Sequence, residues 1–125
     1  MLVRELIMKI PSEYKILSET VENRKIIHLQ NEVSEVCLYI YEDDPGTVYI
    51  ANLYVDTNVR NKGIGTLIMQ ICESIAIQLK ASKQILFVQK NSWMQKWYSR
   101  LGYKRIKDFN ILPPLNNTVW MEKEI

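Results

Sequence analysis

Leu2, Val3, Leu6, Ile7 and Ile10 recur at helical spacing until Pro11 stops the pattern, predicting a short N-terminal helix with a strand as its rival. Antiparallel strands are predicted near Tyr14 to Val21, Arg24 to Gln30, Val36 to Glu42 and Thr47 to Val55. Their connections, Glu22-Asn23, Asn31 to Glu35 and Asp43-Asp44-Pro45-Gly46, are rich in turn formers. The stretch Thr47 to Val55 is apolar on both alternating faces, as a central strand covered on both sides must be, and Asn52 is its one polar interruption. Next, Ile64, Leu67, Ile68, Ile71, Ile75 and Leu79 fall at steps of three and four, with Gln70, Glu73, Ser74 and Gln78 mostly on the other side. That predicts an amphipathic helix over 62–80, followed by a strand at 84–89, a helix at 92–101, and strands at 103–109 and 118–124. The paired prolines Pro113-Pro114 make Asn110 to Asn117 an irregular loop, because proline offers neither a ladder donor nor a helical one. Without repeats or an internal linker, residues 1–125 are expected to form a single domain. Its class is α/β, a mixed, mostly antiparallel sheet with helices on both faces.

The join between the central strand and the amphipathic helix, Val55 to Thr66, places Gly63 and Gly65 at alternate positions where the helix should begin. The first N–H groups of a helix lack intrahelical partners, and the peptide dipoles add roughly half a positive charge there. Such an end can hold an anion on bare backbone if no Cβ stands in the way. The two glycines remove two Cβ atoms, while Arg60 and Lys62 add cationic donors. A tight strand-to-helix turn with no ligand is the structural alternative.

The loop Arg60-Asn61-Lys62-Gly63-Ile64-Gly65 fits the pattern Arg/Gln-x-x-Gly-x-Gly/Ala. It is neither a dinucleotide fingerprint nor a P-loop, having no third spaced glycine and no Gly-Lys-Ser/Thr. A second motif follows the apolar strand Gln84 to Val88: Asn91, then Tyr98 seven residues later on a short predicted helix, then Gly102-Tyr103 opening the next strand. With the closing segment Val119 to Ile125, these features resemble the GCN5-related N-acetyltransferase (GNAT) superfamily over about residues 35 to 125.

The resemblance implies acetyl-CoA or a close acyl-CoA as cofactor, without metal. Its pyrophosphate would lie on the N–H groups of Arg60, Asn61, Lys62, Gly63, Ile64 and Gly65, beside Thr66. Its pantetheine arm would pair with the strand around Leu53 to Val55, where two neighbouring strands splay apart, and Asn91 would bond the pantetheine across that gap. Leu53 would offer its backbone N–H to the developing oxyanion, and Tyr98 would be the general acid that protonates the leaving thiolate, a phenol having a pKa of about 10. Asn91 as a helix cap and Tyr98 as a core aromatic are the plainer assignments. The base is not legible: relatives carry Glu or His where this chain has Ala51 and Tyr49, leaving water ordered by Tyr49 and Asn52. His28, the single histidine, is read as structural, Cys72 as a buried inert thiol, and Trp93 with Trp97 as a packing pair before a substrate wall. Larger members of the superfamily also carry two helices between the first two strands. Here only about ten residues, before Pro11, are available for that helical region.

Composition then removes whole classes of function. Sixteen basic against fourteen acidic residues leave a net charge of +2, too near neutrality to indicate nucleic acid or a membrane as partner. Cys37 and Cys72 have no metal-ligand spacing, and no run reaches the length of a spanning helix or a signal segment, so a reducing cytoplasm is expected. Three functions follow: direct N-acetyl transfer to a primary amine of a small molecule or a protein, an acyl-CoA-binding module without catalysis, or an interaction protein with a purely structural glycine loop. A homodimer through terminal strands is compatible with each.

Overall fold

The computed structural model describes residues 14–60, 63–106 and 117–125. The expected N-terminal helix, most of the loop at 110–117 and the end of the strand expected at 103–109 lie outside them. A meander opens the chain: β1 (Lys15–Val21), β2 (Arg24–Gln30), β3 (Ser34–Tyr41) and β4 (Asp44–Val55). Glu22 takes a positive φ of 56° in the first tight turn. At the second, the Asn31 side-chain oxygen accepts from the N–H groups of Val33 and Ser34 and from the Ser34 hydroxyl, an Asx turn that starts β3 two residues earlier than the apolar pattern suggested. Pro45 and Gly46, expected in a turn, belong to β4. They lie where the β3–β4 register shifts between Tyr39 and Tyr41, so the proline needs no ladder donor.

After β4 come a 3₁₀ turn (Thr57–Val59), α1 (Ile64–Gln78), β5 (Lys83–Gln89), α2 (Trp93–Arg100), β6 (Lys104–Ile106) and β7 (Thr118–Glu124). The seven strands lie in the order β1-β2-β3-β4-β5-β7-β6. Every neighbouring pair is antiparallel except β4 with β5, the pair that α1 connects.

The main hydrophobic cluster lies on one sheet face. Ile27, Leu29, Val36, Leu38, Val48 and Ile50 meet Ile68, Ile71, Cys72 and Ile75 of α1, and Tyr98 of α2 joins the same cluster. Leu29, Leu38, Ile68 and Ile75 have no exposed surface, and each contributes about 1.5–3 kcal/mol by leaving water. Among the described residues no helix is long and apolar enough to cross a membrane.

Candidate functional site

β4 changes character part-way along. It pairs with β5 only through Thr47, Val48 and Tyr49, opposite Lys83, Gln84 and Ile85, and from Ile50 onward the two strands diverge. On its other side the register with β3 passes from Cys37 opposite Ala51 to Glu35 opposite Tyr54, so Asn52 and Leu53 together face Val36. This is a β-bulge, and Asn52 supplies its left-handed residue at φ 57°. The polar interruption seen in the sequence is thus the hinge of the bulge. Leu53 has a register partner on neither side.

A cleft of about 670 Å³ opens at this end of β4. Leu53, Tyr54 and Val55 line it, with Val59, Arg60 and the start of α1 from Gly63 to Thr66. Its other wall is one face of α2: Trp93, Met94, Trp97 and Arg100. The volume suits a large organic ligand. Seven residues expected to hold a cofactor are therefore brought together: Leu53, Val55, Arg60, Gly63, Ile64, Gly65 and Thr66. Asn61 and Lys62 lie outside the described residues.

The two glycines do different work. Gly63 caps α1 at φ 78°, and a Cβ there would have no atom within 4 Å, so open space faces the helix start. Among the described residues no side chain caps α1. Its first intrahelical bond runs from Leu67 N to Gly63 O at 3.0 Å, leaving the N–H groups of Ile64, Gly65 and Thr66 without intrahelical acceptors. At Gly65 a Cβ would meet Trp97 at 3.3 Å. That glycine makes room for the indole of α2 instead of a ligand. Arg60 donates from Nε to the Val55 carbonyl at 2.9 Å, holding its guanidinium against the end of β4.

Asn91 and Tyr98 are not part of this lining. Asn91 is exposed with φ 59°, and its N–H donates to Gln95 Oε1 at 2.6 Å. The cap of α2 is Ser92, whose Oγ accepts from Gln95 N at 3.2 Å. Tyr98 is only 5% exposed, its ring 4.9 Å from that of Trp97, which lines the cleft, and 5.7 Å from that of Tyr103. Burial, with Cys72 nearby, pushes its phenol up to about 12, so it keeps its proton at neutral pH. Tyr103 donates to Gln84 Oε1 at 3.2 Å. Burial also pushes Cys72 to about 12, as an inert core thiol requires.

Tyr49, expected to help order a water, directs its hydroxyl to Asp44 Oδ2 at 3.5 Å, and burial followed by Asp44 pushes it up to about 12. The wall of α2 had only second place in the sequence reading, and Val59 carried no signal there. The available signal was the stripe Trp93, Trp97 and Arg100, spaced four and three residues apart on one helical face.

A strand parted from its parallel neighbour, bulged at its end and delivering an uncapped helix start into one cleft is a particular construction. The Acetyltransferase (GNAT) family model matches residues 17–103. The chain belongs to the GNAT family of acetyltransferases. None of the curated proteins matches it. Solved GNAT-type structures share its fold. A Klebsiella pneumoniae protein provisionally assigned as an acyl-CoA N-acyltransferase has 16% identity and a TM-score of 0.70, over 91% of this chain and 99% of that one. A GNAT family acetyltransferase from Elizabethkingia anophelis, solved with acetyl-CoA bound, has 15% identity and a TM-score of 0.64, over 92% and 100%. The PaiA N-acetyltransferase of Thermoplasma acidophilum, in complex with coenzyme A, has 18% identity and a TM-score of 0.64, over 80% and 60%.

Proposed function

We propose that this GNAT chain transfers an acetyl group from acetyl-CoA directly to a primary amine. The observation that carries the reading is the convergence of the unpaired Leu53 segment and the uncapped start of α1 on one cleft. The residues fit the cofactor: open space where the Gly63 Cβ would stand and three N–H groups without intrahelical acceptors suit a pyrophosphate. When bound, acetyl-CoA supplies an activated acyl group and a thiolate leaving group. Leu53 to Val55 would pair with the pantetheine arm as an added strand, and the Leu53 N–H would stabilise developing negative charge on the acyl oxygen. Arg60 and Arg100, both in the lining, add positive charge for the phosphates. Tyr98, kept protonated by burial and in ring contact with the cleft-lining Trp97, would be the acid for the departing sulfur. Asn91 would contact the pantetheine from the end of β5. The acceptor is a small-molecule or protein amine, and the two free thiols fit a cytoplasmic setting.

A second reading, an acyl-CoA-binding module that has lost catalysis, is favoured by one observation: among the described lining residues there is no carboxylate and no imidazole to take the amine proton. An amine panel with acetyl-CoA, followed by thiol release and product mass, tests the first reading, and calorimetric titration of acetyl-CoA tests the cofactor site itself. Binding with no product from any amine selects the module. Absence of binding overturns both.

A further inference from the structure

Away from the cleft, three titratable side chains stand in line across three strands. His28 on β2 lies directly opposite Cys37 on β3, on the face alternate to the core residues Ile27, Leu29, Val36 and Leu38. The His28 Nε2 is 3.2 Å from Glu19 Oε1 on β1, and its Nδ1 is 3.3 Å from Cys37 Sγ. A carboxylate oxygen only accepts, so in the neutral ring the hydrogen sits on Nε2 and the Nδ1 lone pair faces the thiol. The set contains a nucleophile, a base within reach and a group that fixes the base's tautomer. His28 and Glu19 are 36% and 55% exposed, so a reagent can reach them from solvent.

We propose that Cys37 is a covalent modification site, a thiol that His28 deprotonates as it attacks small, uncharged carbon electrophiles. With an alkyl halide such as iodoacetamide, the sulfur–carbon bond forms as the carbon–iodine bond breaks, iodide departs, and the thiol proton moves to His28 Nδ1. The resulting imidazolium is paired with Glu19. Charge selects the reagent: Glu35 and Glu19 both act on the sulfur, disfavouring anions. Burial chiefly, then those carboxylates, push the thiol up, while the Asn52 and Tyr39 side chains bond it and oppose the shift. Free thiolate is scarce at neutral pH as a result, and reactivity depends on the base. An adduct would stand next to the bulge, since Cys37 faces Ala51, the residue before Asn52.

The test alkylates the full chain with iodoacetamide and with iodoacetate, each rate divided by that of free cysteine and the labelled peptide read by mass. Cys37 should take the label alone while Cys72, with no exposed surface, stays unmodified. Iodoacetamide should outpace iodoacetate by about tenfold, and His28→Gln should slow labelling by roughly a hundredfold, the lower end for general-base assistance. Glu19→Gln should slow it less. Equal rates for the two reagents overturn the charge selection, and wild-type speed in His28→Gln overturns the base. Should that variant unfold, betrayed by labelling of Cys72, the wild-type pH profile decides. An assisted thiol levels off below the ordinary thiol range of about 8.5, whereas a steady climb through that range refutes assistance.

Discussion

The two halves of β4 follow the same apolar rule in sequence and do opposite things in the fold. Thr47 to Tyr49 is held by β5, Thr47 and Val48 are buried, and Asp44 accepts bonds from Thr47 and Tyr49. From Ile50 to Val55 the strand has lost β5, is bulged against β3, and lines a cleft. Backbone groups released from a ladder must find other partners. A strand that is half paired therefore combines a rigid platform with a backbone edge that a ligand can complete. The first half provides position, and under the proposed function the second would provide the chemistry.

The sharpest way to break this contrast is at Tyr98, beside the open half. Tyr98→Phe keeps the ring contacts with Trp97 and Tyr103 and removes one hydroxyl. In steady-state kinetics with saturating amine, kcat should fall by roughly a hundredfold while acetyl-CoA affinity holds within a few-fold. A near-normal kcat, with chemistry rate-limiting, would make Tyr98 a packing residue.

Gly63→Val tests the helix start next. A β-branched residue at φ 78° is strained by about 1–3 kcal/mol, and its side chain would fill the open space in front of α1. Acetyl-CoA at a hundredfold excess over Kd should stabilise the wild type by about 2.7 kcal/mol, and the variant should lose most of that shift in a thermal melt. If the folded variant shows the full shift, the loop is not the cofactor site.

Alkaline pH probes both halves at once. Burial raises Tyr49 and Tyr98 from 10.0 to about 12, so the folded state binds their protons more tightly than the unfolded chain does. That stability is fully present below about pH 10 and is lost as pH climbs through about 12, so Tm should be level from neutrality to about pH 9 and then fall. Tyr98→Phe should remove more of the fall than Tyr49→Phe, because Tyr98 is buried and Tyr49 is partly exposed. A Tm that is level to pH 12 would contradict the burial of both rings.

The smallest effects compare two other glycines. Gly65→Ala forces Trp97 to give way from 3.3 Å and should cost about 1 kcal/mol, some 4 °C in Tm. Gly46→Ala, in the paired half, meets only Ser82 Oγ at an ordinary 3.6 Å and should be within about 0.5 kcal/mol of neutral. Equal losses at the two positions would erase the distinction.

Much of this was legible along the chain because it is local. Helical spacing through Ile68, Ile71 and Ile75 marked the buried face of α1, although Leu67 of the same stripe is exposed, and the glycine loop marked the helix start. Asn52 stood out as a polar residue in an apolar strand, yet nothing nearby says that two residues of β4 must oppose Val36 alone. The division of labour between Gly63 and Gly65 was equally hidden, since it depends on an indole from a helix some thirty residues later. His28 was expected to be structural; it is absent from the cleft lining, and its partners Glu19 and Cys37 could not be named before the strand register was known.

By itself, then, the sequence determined the order and type of most described strands and helices, which faces are apolar, and where a helix begins on bare backbone, because each depends on residues within a few positions of one another. Tertiary structure alone decided where β4 leaves β5, which face of α2 closes the cleft, and which side chains meet across strands. Those depend on register and docking between distant segments, where one residue of slip would exchange every inward side chain for an outward one.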